Sequence, residues 1–358
     1  MKERLQYPIH GGERMSLFRR LLLSWFDQYG RILPWRGITD PYRIWVSEII
    51  LQQTQVVQGW DYYMRFIEAY PDVSALANAR DEDVLLLWEG LGYYSRAHNM
   101  LVAARQVVEQ HGCIFPQTEE EVSALKGIGP YTTAAIMSIA YNQPLAVVDG
   151  NVYRVLSRVE ASEEPIDTTQ GQKYYRLLAS DYLDHSQPGK YNQAMMDLGA
   201  MICTPRSPKC HECPIAPLCK SRENKALIEL LPIKAKKLVV DNRYLDYFLL
   251  IDGDCFWVER RDNKGIWKGL YQLPLVENTE RALGENEIRE KIRGSWALEK
   301  SIDLQPHRLT HRLLHIRIHL CYALTETHLP SSFKKIKLSE HPTLAFPKPL
   351  RHFLDQYF

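Results

Sequence analysis

Four of the seven cysteines lie close together near the middle of the chain. Cys203, Cys210, Cys213 and Cys219 follow the spacing C-x6-C-x2-C-x5-C, whereas the other three are isolated. Thiolates crowded in this way repel one another unless a cation or a cluster neutralises them. Such crowding in a cytosolic protein indicates a metal site rather than a disulfide framework. The donor set fits either Zn²⁺ or an iron–sulfur cluster.

A glycine-rich segment marks a second place suited to chemistry. Gly127 and Gly129 lie one residue apart, shortly before an apolar helix predicted over residues 134–140. Glycines expose the backbone N–H groups of a tight turn, and the N-terminus of the following helix adds a positive dipole. The segment therefore predicts a phosphate-binding hairpin formed by Gly127, Gly129, Tyr131 and Thr132. A plain packing loop between two helices is the alternative interpretation.

Two carboxylic residues have contrasting surroundings. Glu48 lies among apolar neighbours in residues 44–51, and Asp149 directly precedes a helix predicted over residues 150–160. The apolar setting should raise the pKa of Glu48, whereas the helix N-terminus should keep Asp149 ionised and its pKa low. Such a pair can supply a proton donor and an anionic stabiliser for cleavage of a glycosidic bond. An exposed Glu and a structural helix cap are the ordinary alternatives.

These features together resemble the endonuclease III superfamily of DNA glycosylases, and within it the MutY-type adenine DNA glycosylases. The resemblance is dense over residues 16–222 and weaker over residues 240–358. It implies an enzyme that flips and excises adenine mispaired with 8-oxoguanine or G in double-stranded DNA, in base-excision repair. The supporting strings are LPWR at 33–36, VSEIILQQTQ at 46–55, GLGYYSRA at 90–97 and YNQAMMDLGA at 191–200.

The resemblance also implies roles for single residues. Glu48 matches the acid that protonates adenine N7, and Asp149 matches the group that stabilises the sugar cation or attacks it. Asn151 matches a residue that helps to place water or Asp149. Arg36 and Gln193 match residues that line the adenine pocket.

Base flipping leaves a gap in the duplex that a protein side chain must fill or hold. By resemblance, Gln53 and Tyr93 wedge into the duplex, and Leu91 lies nearby. The same resemblance decides between the two metals, because the four cysteines hold a [4Fe–4S] cluster in that family. A Na⁺ or K⁺ ion is expected to bridge the hairpin carbonyls to a DNA phosphate.

One position in the hairpin separates two chemistries. The endonuclease III branch carries a Lys after Gly-Pro, and this Lys forms a Schiff base and cleaves the strand. This chain carries Tyr131 there, and we expect its hydroxyl to donate near Asp149. Position 153, where some MutY relatives carry a Lys, is Tyr153. Both residues favour a monofunctional glycosylase.

The C-terminal part resembles the Nudix-type domain appended to MutY. A hydrolytic Nudix domain needs a Gly-x5-Glu-x7-Arg-Glu box, and residues 284–299 lack that spacing. We therefore expect recognition of 8-oxoguanine without hydrolysis. Where the family has a Phe-Ser-His loop, this chain has Leu309, Thr310 and His311. Thr310 and His311 are the expected contacts, with a polar turn between strands as the alternative.

Hydrophobic periodicity predicts the elements that carry these residues. Helical spacing recurs from residue 16 to residue 202 with short Gly- and Pro-containing breaks, whereas residues 244–251, 255–260 and 313–323 read as strands. The predicted organisation is an N-terminal extension at 1–15, an all-α domain at 16–222, a linker at 223–240 and an α+β domain at 241–358. Most tryptophans of the first domain are expected in its core: Trp35, Trp45, Trp60 and Trp88.

Composition limits how the protein can bind DNA. Residues 1–230 contain 23 Lys and Arg against 27 Asp and Glu, and residues 231–358 contain 21 against 16, so the whole chain carries a formal net charge of +1. This balance excludes binding by bulk positive charge. No apolar run is long enough for a membrane span or a signal peptide. We expect a cytoplasmic monomer, nucleoid-associated if bacterial, translated from Met15 or carrying a disordered tail over 1–14.

Two other functions remain open at this point. An endonuclease III-like pyrimidine glycosylase is opposed by Tyr131 and by the extra C-terminal domain. A non-catalytic damage-binding or iron–sulfur regulatory protein is opposed by the presence of both Glu48 and Asp149.

Overall fold

The structure is a computed structural model, and it describes residues 11–235, 240–261, 265–292, 295–325 and 329–358. The chain divides into two compact units. The first unit contains the described residues up to Ala77 and those from Ala103 to the end of the helical part. The other contains Asn78–Val102 together with the C-terminal part. The second unit therefore includes a segment that the sequence assigns to the helical domain.

Helices make up the regular structure before residue 240. Short loops join them, and none of the helices among the described residues has both the length and the apolarity to cross a bilayer. Their bounds are α1 Gly11–Tyr29, α2 Pro41–Leu51, α3 Val56–Ala69, α4 Val73–Ala77, α5 Asp81–Leu87, α6 Ser95–His111, α7 Glu119–Ala124, α8 Pro130–Ala140, α9 Gly150–Glu160, α10 Thr169–Tyr182, α11 Pro188–Met201 and α12 Lys225–Leu230, with a 3₁₀ turn at Ala216–Leu218.

Local capping explains where several of these helices begin. Asp40 accepts hydrogen bonds from the backbone of Tyr42 and Arg43, and Pro41 occupies the first turn of α2. Thr168 caps α10 and Asp149 caps α9 in the same way. Each cap satisfies N–H groups that the helix itself leaves without partners. The main core then forms from the apolar faces of α1, α9, α10 and α11.

The described residues of the C-terminal part form an eight-stranded mixed sheet with two α-helices. The long strands β1 and β7 pair in parallel, and the other strand pairs are antiparallel. The order is β3-β2-β1-β7-β5, with β4 on β1, β6 on β7 and β8 on β2. The bounds are β1 Asp241–Asp252, β2 Cys255–Arg260, β3 Tyr271–Gln272, β4 Leu275–Asn278, α13 Glu285–Lys291, β5 Trp296–Asp303, β6 His307–Arg308, β7 Arg312–Ala323, β8 Phe333–Lys337 and α14 Lys348–Tyr357.

Within this second unit, ion pairs join the segment 78–102 to the sheet and its helices. Glu89 accepts from Arg351 Nε at 2.9 Å and from the backbone N–H of Phe346 at 3.0 Å. Arg260 donates to Glu82 at 2.6 Å. The loop after α5, which carries the string GLGYY, is thereby anchored by partners distant in sequence.

The predicted fold class is confirmed: helices come first, and a mixed α+β unit follows. Two local expectations are wrong. The first helix begins at Gly11, and Arg14 contacts Glu160, Tyr182 and the carbonyl of Leu218, so residues 11–14 do not form a disordered tail. Part of the predicted linker is the helix α12. Residues 236–239 of the predicted linker lie outside the described residues, as do residues 1–10.

Candidate active site

Glu48 lies on α2 with its carboxyl group buried, leaving the residue 7% exposed. The phenol of Tyr131 donates a hydrogen bond to Glu48 Oε2 at 2.6 Å. Burial raises the pKa of Glu48 to about 7, with a further rise from Asp149, while the Tyr131 hydrogen bond and the charge of Arg36 oppose the rise. The predicted apolar surroundings are confirmed. The carboxyl can therefore hold a proton near neutral pH and release it.

Asp149 is the N-cap of α9, as its sequence position indicates. Its Oδ1 accepts from the backbone N–H of Val152 at 2.8 Å, and its Oδ2 accepts from Asn151 Nδ2 at 2.7 Å. The expected lowering of its pKa is wrong, because burial raises the pKa and outweighs these hydrogen bonds. Tyr131 lies close enough to Asp149 for that carboxylate to raise the pKa of the phenol, and its hydroxyl donates to Glu48.

Asn151 is held in turn by Arg154, a residue that sequence reasoning missed. Arg154 Nη2 donates to Asn151 Oδ1 at 2.8 Å and to the carbonyl of Gly199 at 2.7 Å. A Cβ at Gly199 would come within 2.5 Å of Asn151 Cβ, so glycine allows α11 to approach α9 closely. The amide of Asn151 is thus oriented to donate to Asp149. Asn151 and Arg154 lie three positions apart on α9, a spacing that brings side chains together on a helix. That spacing is the feature of the sequence that could have indicated the pair.

Arg36 does not point freely into a pocket. Its guanidinium donates to both oxygens of Asp197, at 2.9 and 2.8 Å, and lies over the ring of Phe26. Arg31 donates to the same carboxylate through its backbone N–H and its guanidinium. Arg31, Arg36 and Gln193 all line one open groove near the start of α11. The structure thus brings the two predicted pocket residues together and adds Arg31 and Asp197.

The predicted phosphate hairpin has the required backbone. Gly127 adopts a φ of 79°, which favours glycine, and Gly129 is the N-cap of α8 with Pro130 in the first turn. The side chain of Thr132 is buried, and its hydroxyl accepts from Gln52 at 3.3 Å. Only the backbone of Thr132 is therefore suited to an anion at this helix start.

Both predicted wedge residues have left-handed backbone conformations. Gln53 has a φ of 58° and Tyr93 a φ of 47°, values that non-glycine residues rarely adopt. Both are exposed, and the Tyr93 side chain is 46% accessible. Leu91 is buried, so it supports the loop rather than projecting from it. Trp35, Trp45 and Trp88 lie in the core as expected, whereas Trp60, at 39% exposed, does not.

Thr310 lies in the turn between β6 and β7, within the same unit as Tyr93. The hydroxyl groups of Thr310 and Tyr93 form a hydrogen bond with each other. Both Thr310 and His311 are exposed, and the backbone carbonyl of His311 accepts from Asp241 at 2.9 Å. The structure therefore places Thr310 beside Tyr93, one of the two predicted wedge residues, which the sequence spacing of more than two hundred positions could not indicate.

The four cysteines line one small cavity together with Arg158 and apolar residues. Burial raises the pKa of the Cys203, Cys213 and Cys219 thiols, to about 12 for Cys213, and the neighbouring sulfurs raise it further. Thiolates at these positions need a positively charged group between them. Across the described residues, no group of three or more His, Cys, Asp or Glu is arranged to hold a single metal ion. Cysteines around a cavity suit a multi-atom cluster better than one Zn²⁺.

Taken together, one unit brings a protonatable carboxyl, a second carboxylate and an oriented amide to one place. The two carboxyl groups lie close enough for Asp149 to affect the pKa of Glu48. This arrangement can donate a proton to a leaving group and stabilise a developing cation.

Comparisons with known protein families match three parts of the chain. Residues 46–177 match the HhH-GPD superfamily of base excision DNA repair proteins. Residues 203–219 match the iron-sulfur binding domain of endonuclease III. Residues 246–356 match the NUDIX domain. The cysteine-lined cavity is therefore an iron–sulfur site, and the mixed sheet is a Nudix-like domain.

Several curated relatives carry the name adenine DNA glycosylase. The protein from Buchnera aphidicola subsp. Acyrthosiphon pisum is 32% identical over 95% of this chain and 97% of its own length. That of Buchnera aphidicola subsp. Baizongia pistaciae is 34% identical over 84% of both chains. The Mus musculus protein is 44% identical over 61% of this chain, which spans only 44% of that relative.

Solved structures resemble the helical part. A thermostable thymine-DNA glycosylase is similar with a TM-score of 0.55 and 28% identity, over 59% of this chain and 97% of its own. An endonuclease III trapped covalently on DNA is similar with a TM-score of 0.51 and 18% identity, over 59% of this chain and 98% of its own. The second likeness supports the fold alone.

Proposed function

Because the chain belongs to the family of adenine DNA glycosylases, we propose that it excises adenine mispaired with 8-oxoguanine or G from duplex DNA. The observation that carries this proposal is the buried Glu48, whose pKa of about 7 lets it act as an acid beside Asp149. The enzyme would act as a monomer in base-excision repair. Hydrolysis of one N-glycosidic bond would yield free adenine and an abasic site.

In the proposed reaction, the flipped adenine enters beside Glu48. Glu48 donates its proton to N7 of the purine, which makes the base a better leaving group. The hydrogen bond from Tyr131 holds the carboxyl in place. The bond between C1′ and the base nitrogen then breaks, and its electron pair leaves with adenine.

The sugar left behind carries positive charge at C1′ and needs a nearby anion. Asp149 supplies that anion, and Asn151 fixes its orientation through the 2.7 Å hydrogen bond. Water then adds to C1′ and returns a proton to Glu48. Because Tyr131 has no amine, no Schiff base forms and the strand stays intact.

Recognition of the opposing base would fall to the exposed pair Tyr93 and Thr310, with Gln53 as the second wedge residue. Tyr93 stacks in the duplex, while the Thr310 hydroxyl contacts the damaged base. His311 contributes at the same turn. The Nudix-like domain would recognise 8-oxoguanine without hydrolysing a nucleotide, since its sequence lacks the Mg²⁺-binding box.

Two inorganic groups belong to this proposal. Cys203, Cys210, Cys213 and Cys219 would hold a [4Fe–4S] cluster, which would neutralise the thiolates and fix the loop that they share. The carbonyls of the hairpin at Gly127 and Gly129 would hold Na⁺ or K⁺ against a DNA phosphate.

A set of matched duplexes tests the proposal. Single-turnover assays would compare adenine opposite 8-oxoguanine, adenine opposite G, adenine opposite T, and thymine opposite G. We expect free adenine from the first two duplexes and no product from adenine opposite T. Borohydride should trap no covalent adduct. Release of thymine without release of adenine would instead support a pyrimidine glycosylase, which the 28% identity to a thymine-DNA glycosylase makes the second candidate.

A further inference from the structure

Asp197 on α11 is a buried carboxylate shared by two arginines. Its side chain is fully buried, and each of its oxygens accepts from both Arg31 and Arg36. Burial opposes its ionisation, but these hydrogen bonds outweigh burial and lower the pKa of Asp197. The carboxylate therefore stays ionised over the whole neutral range, between two positive groups that line the groove.

The positive charge of Arg36 acts against the protonated form of Glu48. The groups that influence the Glu48 pKa are Tyr131 from α8, Asp149 at the start of α9, and Arg36 from the loop after α1. A guanidinium favours an ionised neighbour, and Arg36 would do so more strongly without the carboxylate of Asp197 beside it. An acid catalyst that works near pH 7 needs this influence to be limited.

We propose that Asp197 is a positioning residue of the active site. It fixes Arg31 and Arg36 in the groove and, through its negative charge, limits the positive field that Arg36 exerts on Glu48. This inference rests on the proposed function, in which Glu48 donates a proton. It assigns Asp197 no contact with substrate.

A charge series separates this role from that of a simple structural ion pair. Asp197→Asn removes one negative charge and Arg36→Gln removes one positive charge, while the double variant restores the original sum. The measured quantity is the pH at which single-turnover adenine excision falls by half on the alkaline side. Lys173→Gln, an exposed charge change on α10, is the matched control.

Opposite shifts are expected from the two single variants. Asp197→Asn should move the alkaline limb to lower pH by about half a unit or more, and Arg36→Gln should move it to higher pH. The double variant should return toward the unmodified enzyme, and Lys173→Gln should not move the limb. A purely structural ion pair would lower the rate at every pH and leave the limb in place, which would overturn the proposal.

An activity-independent readout distinguishes this inference from the proposed function. The carboxyl carbon of Glu48 can be titrated by NMR in Glu-labelled full-length protein, with Glu48→Gln to assign its resonance. Shifts of that titration in the same two directions support the charge role even if no duplex is cleaved. Unchanged titration midpoints in both variants overturn it. Should Asp197→Asn not fold, the double variant is compared with Arg36→Gln alone. A lower Glu48 midpoint in the double variant supports the charge role of Asp197, and equal midpoints overturn it.

Discussion

Each of the two units buries a carboxyl group that accepts hydrogen bonds, but the two carboxyls are satisfied to different degrees. In the sheet unit, Asp246 accepts from the backbone of Leu283 at 2.9 Å and pairs with His319 at 3.1 Å, and His319 contacts Ser301 at 2.7 Å. Asp246 and His319 are fully buried. In the helical unit, Glu48 has the Tyr131 hydrogen bond and a pKa raised by burial.

The contrast distinguishes a carboxyl group that stabilises the fold, Asp246, from one that is suited to catalysis, Glu48. Both oxygens of Asp246 and both ring nitrogens of His319 have partners, so a change there removes stability. Burial raises the pKa of Glu48 to about 7. It therefore lowers the stability of the folded state and provides an acid for catalysis. Four predictions test this contrast, in order of expected effect.

The largest effect should come from Glu48→Gln. Removing the proton donor should slow adenine excision roughly 10²- to 10⁴-fold, the usual contribution of a general acid. Duplex affinity should be retained, because the shape of the side chain is kept. Single-turnover rates and a binding titration measure the two quantities, with the exposed Glu68→Gln as control. A rate within tenfold of the unmodified enzyme would remove Glu48 from the mechanism.

His319→Leu should destabilise the protein and leave the chemistry unaffected. Asp246 would remain buried without its ring partner, at a cost of roughly 3–5 kcal/mol. Equilibrium unfolding of the full chain measures the loss. His315→Leu is a matched control, since His315 lies on the same strand and bonds to Asn242 at an exposed position. Equal losses of unfolding free energy in the two histidine variants would contradict a stabilising role for the pair Asp246 and His319.

The cost of burying Glu48 should depend on pH. Its folded pKa of about 7 exceeds the ordinary 4.5, so the folded state binds the proton more tightly than the unfolded state. The stabilisation by that proton is complete below pH 4.5 and is lost as pH rises through 7. Relative to the unmodified protein, Glu48→Gln should therefore gain about 2–3 kcal/mol between pH 4.5 and 7.5. A pH-independent difference in the free energy of unfolding would show that Glu48 titrates normally.

The smallest effect should come from Tyr131→Phe. The Tyr131 hydrogen bond lowers the pKa of Glu48, so its loss should raise that pKa further and move the alkaline limb of the rate profile upward. We expect a shift of less than about one unit and a rate change below about tenfold. Movement of the limb to lower pH would mean that the phenol favours the protonated carboxyl.

The sequence predicts the long elements well because their apolar spacing repeats over many residues. The strands over residues 241–252 and 312–323, and most helices of the first unit, agree with expectation. Elements of five or six residues, such as α4, α7 and α12, are too short for a clear period. The C-terminal helix α14 was also not predicted. Trp60 fits a helical pattern, but which face of α3 is covered depends on distant packing.

For the candidate site, the sequence identifies residue types better than partners. Glu48, Asp149 and the cysteines were found because each stands in a recognisable local setting. The Tyr131 bond to Glu48 joins positions 83 residues apart, and Asp197 reaches Arg36 across 161 residues. Asp149 was expected at a low pKa from its cap alone, but burial by other elements raises it. Such effects arise from tertiary structure, which local patterns do not contain.

The left-handed backbone at Gln53 and Tyr93 has a consequence for engineering this enzyme. A residue with a Cβ pays about 1–2 kcal/mol for this conformation, which glycine does not. Libraries selected only for heat resistance should therefore enrich glycine at both positions and lose the side chains proposed to enter DNA. Selection for thermostability and selection for mutation avoidance in cells would drive these two positions in opposite directions.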